Sequence, residues 1–479
     1  MSDPSPARAL AFAVIRATFE DGAHTELAFR QAAEREGLAG RQRAQAQRLA
    51  YGAVQRRGTS DAAIERLCDR GLGLIDPPVL AGLRLGLYEL LFADATPDHA
   101  AVDQAVELVK RAGAAHAAGL VNAVLRRASR ERRSLGQALL GQDSTPETAA
   151  IAHSAPLWLA RMWWRELGPE AARSLLGACN EPAEVAYTTA ASGSPRADAG
   201  PHSGERGAAD LSARELLLGE LAEAGIGARA ARAGWPLGAA ETIVLEGRGG
   251  DRLSALVEEG RLTPQSRGSA AVVEVLDPRG GEQVLDLCAG PGIKTGQIAA
   301  RMGDRGEVVS LERDGARAAQ VAAQAVRLDL RSVTVIEADA TELEIAPGFD
   351  RVLLDAPCSD LGALASRPDA RWRKSPRAIE RLAEMQRLAL AGAARALRPG
   401  GVLVYSTCTI SRRENEDQIS ALLGASRAGE APPLEVEDLG ARAPGLASPL
   451  DRRCLQLCPD RDRTTGFFIC RLKRNDGAR

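Results

Sequence analysis

Between residues 281 and 408, five short apolar runs each end on residues capable of chemistry. GEQVLDLC (281–288) leads into a glycine-rich turn, GEVVSLE (306–312) stops at Glu312, SVTVIEAD (332–339) at Asp339, DRVLLDAPC (350–358) at Cys358 and GVLVYSTC (401–408) at Cys408. Helix-patterned stretches separate them, the longest from Pro376 to Leu397. Strands that alternate with helices at this spacing fold as an open parallel sheet covered on both faces. Such sheets bind ligands outside the carboxyl ends of their strands. The reactive residues all fall there. Residues 271–479 are therefore expected to form a Rossmann-like α/β domain with one site along its edge.

The chain has 479 residues, more than one core usually serves. Residues 1–140 read as helical throughout. Leu83, Leu87, Leu90 and Leu91 form one helical stripe, Val102, Ala105, Val106 and Val109 a second after Pro97 with Asp98 as N-cap, and Val121, Val124 and Leu125 a third. A basic run follows: Arg126, Arg127, Arg130, Arg132 and Arg133. It suits either a solvated helix end or contact with nucleic acid. Residues 141–270 read as a linker and a small α+β region. There Trp158, Trp163 and Trp164 fit core packing better than base stacking. ETIVLEG (241–247) reads as a strand, and the Gly-, Ser- and Pro-rich stretch 190–209 as a loop.

Composition removes several classes of function. Lys+Arg number 61 against 63 Asp+Glu, so nucleic-acid binding must come from local patches. No apolar run is long and charge-free enough to span a bilayer, and the acidic start, broken by Arg8 and Arg16, does not resemble a secretory signal. Eight scattered cysteines then read as reduced thiols in a cytoplasmic protein. The five histidines show no ligand spacing with cysteine, and the Cys454–Cys458 pair has no histidine near it. No metal is expected.

DLCAGPGIK (286–294) carries the first functional signal. Gly290 and Gly292 permit a tight turn and close approach of a ligand, and the following helix N-terminus favours negative charge. Glu312, at the end of the second run, is spaced to accept hydrogen bonds from a ribose diol. Asp339 is placed to reach an adenine amino group. The dinucleotide pattern GxGxxG is absent, so the expected ligand contains adenosine without being NAD. DAPCSDLG (355–362) and YSTCT (405–409) then bring an acid, Asp355, and two thiols, Cys358 and Cys408, beside that ligand. Methylation at C5 of a pyrimidine needs this set. A thiolate adding at C6 turns the inert C5 into a nucleophile, and an acid near N3 stabilises the developing charge. Methylation of an exocyclic nitrogen needs no thiol. The residues alone do not say which cysteine attacks.

The motifs DLCAGPGIK, LERD, EADAT, LLDAPCSDLG, SRPDARW and VYSTCT, in this order, resemble the RNA cytosine-5 methyltransferases of the NOL1/NOP2/Sun family. LAYGAVQR (49–56), LRLGLYELL (83–91), DHAAVDQAVELVK (98–110) and GLVNAVLRR (119–127) resemble a NusB-type RNA-binding domain. The resemblance implies an all-α NusB-like domain, a small α+β region and a Rossmann-like methyltransferase domain. It implies S-adenosyl-L-methionine as cofactor, held by Cys288, Ala289, Gly290, Pro291, Gly292, Ile293, Lys294, Glu312, Asp339 and Asp355. It makes Cys408 the nucleophile, Cys358 the thiol that assists release, and Asp355 the acid at N3. It implies 16S ribosomal RNA as partner and a monomer. Transfer RNA as substrate, and a non-catalytic RNA-binding factor, are the competing readings. Arg367, Arg371, Arg373, Lys374, Arg377 and Arg381, with Arg126 and Arg127, are the expected RNA contacts. Four departures from the family stand out: Ile293 where glycine is usual, Glu312 where aspartate is common, Ser266 after Gln265 in place of aspartate, and AYTTA (186–190), which lacks the arginine and asparagine common there.

Overall fold

The computed structural model describes residues 3–93, 96–189, 206–231, 234–247, 249–342 and 345–475. The chain divides into two compact units, one formed by Met1–Pro182 with Leu364–Ser375, the other by Ala183–Ala363 with Pro376–Arg479.

The first unit is helical. Its helices include Pro6–Phe19, Gly40–Gln55, Pro77–Phe92, Asp98–Val109 and Ala118–Arg130. The predicted stripes face inward: Leu83, Leu87, Leu90, Val102, Val121 and Leu125 are buried in one core with Ile15 and Leu49. The helix Asp98–Val109 is capped by Pro97, and Asp98 is its first residue. The Asp98 carboxylate therefore does not cap but accepts from the Ser129 hydroxyl at 2.6 Å. Trp163 is fully buried in the helix Leu157–Leu167. Leu364–Ser375, which follows the Cys358 motif in sequence, belongs to this unit.

The second unit holds two sheets. The small one is antiparallel, with strands β1 (Ala186–Thr189), β2 (Ala228–Ala230), β3 (Thr242–Leu245) and β4 (Leu262–Pro264) in the order β2-β3-β1-β4. Within 190–209, residues 190–205 lie outside those described, and Arg206 opens a helix that runs to Glu223. The large sheet contains β5 (Gln283–Asp286), β6 (Glu307–Glu312), β7 (Val333–Glu337), β8 (Phe349–Asp355), β9 (Leu397–Thr407), β10 (Leu434–Val436), β11 (Leu455–Leu457) and β12 (Phe467–Arg474). Its order is β10-β12-β9-β8-β5-β6-β7, with β11 on β12. The five strands expected from the sequence are β5 to β9, and they pair with one another in parallel. The sheet is mixed, because β12 runs antiparallel to β9 from Phe468 opposite Thr407 to Lys473 opposite Val402. Leu285, Val352, Leu354, Leu403 and Phe468 fill the core on one face, and Val284, Leu353, Val404 and Ile469 on the other. Chain order reverses on either side of β5, which opens the crevice where such sheets bind ligands.

Candidate active site

After β5 the chain turns through Cys288–Gly292 into the helix Ile293–Arg301. Gly292 takes the left-handed conformation at φ +99° and caps the helix. Ile293 is the first helical residue and needs no positive φ, so the departure from glycine leaves the turn intact. Glu312, at the end of β6, accepts from the Gly290 and Asp314 amides, each at 3.1 Å, and Arg317 Nε lies 3.6 Å away. A Cβ on Gly290 would stand 2.4 Å from Glu312 Oε2. Only glycine lets the acid approach the turn, and this pairing of turn and acceptor fits a ribose. Asp339 accepts from the Thr341 amide at 2.9 Å and hydroxyl at 2.7 Å, which hold its carboxyl below its ordinary range. Burial pushes the Cys288 thiol up, so it stays neutral.

Beneath the turn lies Asp286, fully buried and accepting from the Thr295 hydroxyl at 2.7 Å. Burial outweighs that bond and lifts its carboxyl to about 6. Gln265, also buried, accepts from Thr188 at 2.8 Å and donates to Gln297 at 2.6 Å. Ser266 caps the helix Arg267–Leu276 by accepting from the Ser269 amide at 3.2 Å. The serine thus does the capping that aspartate would do.

Asp355 ends β8. Its Oδ2 accepts from Lys294 Nζ and its Oδ1 from Ser406 Oγ, both at 2.6 Å. β8 and β9 are parallel neighbours, with Asp355 opposite Ser406. That register brings the loops after the two strands together and leaves Cys358 Sγ 3.3 Å from Cys408 Sγ. Cys358 is buried and Cys408 half-buried. The bond to Cys408, reinforced by burial, drives the Cys358 thiol well above its ordinary range. Cys358 therefore keeps its proton. The loops are locked by Gly362, whose amide donates to the Cys408 carbonyl at 3.0 Å and whose carbonyl accepts from Gly466 at 2.9 Å.

Asp360, Glu414 and Asn415, with Gln386 beside them, escape sequence reasoning. Asp360 Oδ1 accepts from Cys408 Sγ at 3.2 Å. Its only sequence signal is a carboxylate in the same turn as a cysteine. Glu414 is fully buried and accepts from the Ser359 amide at 2.8 Å, while Gln386 donates to the Pro357 carbonyl at 2.8 Å and to Glu414 at 3.2 Å. Asn415 accepts from Thr407 Oγ1 at 2.6 Å and donates to the Thr409 carbonyl at 3.2 Å. Both lie in the polar run SRRENEDQ, which reads as solvated surface and is buried only by tertiary packing.

The expected RNA contacts are divided between the two units. Arg367, Arg371, Arg373 and Lys374 belong to the helical unit and Arg377 and Arg381 to the other. Arg371 is not available to phosphate. It is 1% exposed and donates to the carbonyls of Ser154 at 3.0 Å and Cys179 at 2.8 Å and to Asn180 Oδ1 at 3.1 Å. A side chain that supplies donors to buried carbonyls serves packing, whatever its charge. Arg367, Arg373, Arg377, Arg381, Arg126 and Arg127 are exposed and Lys374 half-buried. Cys454 is buried beside Cys470.

A family model described as 16S rRNA methyltransferase RsmB/F matches residues 273–473, and one described as NusB family matches residues 5–130. A probable ribosomal RNA small subunit methyltransferase B of Synechocystis is 33% identical over 478 residues, covering 98% of this chain and 99% of that protein. The chain belongs to the RsmB/F family. A ribosomal RNA small subunit methyltransferase B of Thermus thermophilus is likewise 33% identical, over 98% of this chain and 97% of its own length. The crystal structure of PH0851 shares the fold, with a TM-score of 0.77 at 22% identity over 99% of this chain and 100% of that one. As an RsmB/F member the chain is an RNA methyltransferase that uses S-adenosyl-L-methionine. The helical domain and the α/β methyltransferase domain expected from the sequence are both present. Among the described residues of this RsmB/F chain, no helix is long and apolar enough to cross a membrane.

Proposed function

We propose that this enzyme methylates C5 of a cytosine in 16S ribosomal RNA through a covalent adduct at C6, the target being cytosine 967. The observation that carries the reading is the pair of thiols 3.3 Å apart, at the ends of neighbouring strands, beside an acid tied to the donor turn through Lys294. Bound S-adenosyl-L-methionine supplies an electrophilic methyl group. Glu312 holds its ribose, Asp339 its adenine amino group, and residues 288–294 the remainder.

Cys408 is the nucleophile in this reading. It is the more accessible thiol, and Cys358, which keeps its proton, donates toward its sulfur. Asp355 faces N3, where electron density collects as sulfur adds at C6. Cys358 assists release once the methyl group is in place. The protein acts as a monomer in the cytoplasm and without a metal. Arg367, Arg373, Lys374, Arg377, Arg126 and Arg127 contact RNA phosphates, which orient the substrate without reading its sequence. The target base must leave its stack to reach the thiol.

The test incubates the protein with radiolabelled S-adenosyl-L-methionine and unmodified 16S RNA. Wild type incorporates label as 5-methylcytosine. Cys408→Ala incorporates none, and Cys358→Ala accumulates a protein–RNA adduct on a denaturing gel. Adducts with Cys408→Ala instead would exchange the two roles. Label on transfer RNA alone would move the substrate.

A further inference from the structure

We propose that Asp360 is the base that accepts the proton of Cys408 as its sulfur bonds to the pyrimidine. The inference rests on the reading of Cys408 as nucleophile in C5 methylation.

Cys408 has one proton and two close partners, Asp360 Oδ1 at 3.2 Å and Cys358 Sγ at 3.3 Å. An ionised carboxylate only accepts. The Cys408 proton therefore points to Asp360, and the Cys358 proton is left to point at the Cys408 sulfur. The relay runs one way, Cys358 to Cys408 to Asp360. It gives the attacking sulfur a donor on one side and its own proton an acceptor on the other.

Asp360 stands at φ +60°, a left-handed conformation that aspartate enters more readily than most residues and that Asp277, Asp304 and Asp329 also take. The turn is held there by the Ala363 amide, which donates to the Asp360 carbonyl at 3.0 Å. Glycine would make the same turn without strain. What aspartate adds is a carboxylate within reach of the reacting sulfur.

The step balances within the site. As the S–C6 bond forms, the S–H bond breaks and its proton passes to Asp360 Oδ1. The C5=C6 electron pair moves into the ring toward N3, opposite Asp355. On expulsion of the product the C5–H bond breaks, its proton passing to solvent water and its electron pair restoring C5=C6, while the C6–S bond breaks, its pair returns to sulfur, and Asp360 gives the thiol proton back.

A base role and a purely electrostatic role predict opposite results. A negative charge beside a thiol disfavours the thiolate, so removing it should make Cys408 more reactive. Removing a base should slow addition by about 100-fold or more. The experiment compares wild type with Asp360→Asn, which keeps the size and tolerates the left-handed turn, and with Asp360→Gly, which keeps the turn alone. Single-turnover methyl transfer to unmodified 16S RNA is measured beside alkylation of Cys408 by iodoacetamide in the free protein, resolved by peptide mass spectrometry. The expected result is transfer reduced about 100-fold in both variants with Cys408 alkylated at least as fast as in wild type. Undiminished transfer overturns the inference. Transfer and alkylation falling together also overturn it, since Asp360 would then only hold the loop. Wild type that is alkylated at Cys408 but methylates no RNA overturns the functional reading, and the inference with it.

Discussion

Arg371 donates to the Cys179 carbonyl at 2.8 Å, across 192 positions of sequence. The same guanidinium serves Ser154 and Asn180, and burial lowers its affinity for its proton to a pKa of about 10. Arg371→Met would leave those acceptors buried without donors. It should destabilise the helical unit by about 3 kcal/mol in urea unfolding. Donor affinity, set by residues 288–339, should not change. A variant as stable as wild type would mean that water replaces the guanidinium.

Asp286 makes stability depend on pH in an unusual sense. Its carboxyl is raised from 3.8 to about 6, so the folded state binds the proton more tightly than the unfolded chain. The stabilisation is complete below the unfolded value and is lost as pH rises through about 6. Two units amount to roughly 3 kcal/mol. Between about pH 4 and about pH 8 the stability of Asp286→Asn should therefore shift relative to wild type by roughly this amount, in the variant's favour. Parallel urea midpoints at the two pH values would contradict this.

The donor turn separates a position that needs glycine, Gly290, from one that does not, Ile293. Gly290→Ala drives a methyl group against Glu312 and should weaken S-adenosyl-L-methionine binding about tenfold in calorimetry. Ile293→Gly should leave donor affinity unchanged, because Ile293 already has helical geometry. It should lower stability by about 1 kcal/mol through helix propensity.

Glu414 supports the Cys358 loop through the Ser359 amide. Glu414→Ala should reduce methyl transfer at saturating RNA about 100-fold, the scale of a misplacement near 1 Å. Donor affinity should be retained. A loss of donor binding in equal measure would show that the whole domain had loosened.

Residues placed at strand ends were legible in advance. Asp355, Cys358 and Cys408 lie where the alternating pattern ends β8 and β9, and Glu312 closes β6. The antiparallel β12 was not legible, because only the four-residue helix Pro459–Asp462 precedes FFICRLKR, too short to mark a crossover. Asp360 and Glu414 were hidden for different reasons. The first meets Cys408 across 48 positions of sequence, a contact that spacing does not reveal, and the second is a charged residue buried by partners 55 positions away. Arg371 misled because a basic run describes charge and not exposure. Its neighbour Trp372 donates to the Val54 carbonyl at 2.8 Å and so carries the segment inward.

Leu364–Ser375 has a consequence for how this protein can be taken apart. The segment is encoded inside the methyltransferase half, yet it completes the core of the helical unit. A cut after Pro182 would strip the N-terminal fragment of Arg371 and Trp372 and leave the other fragment with a loop that has lost its lodging. The boundary between the two units is therefore not a single point in the chain, and a cut that respects the one fold takes residues from the other.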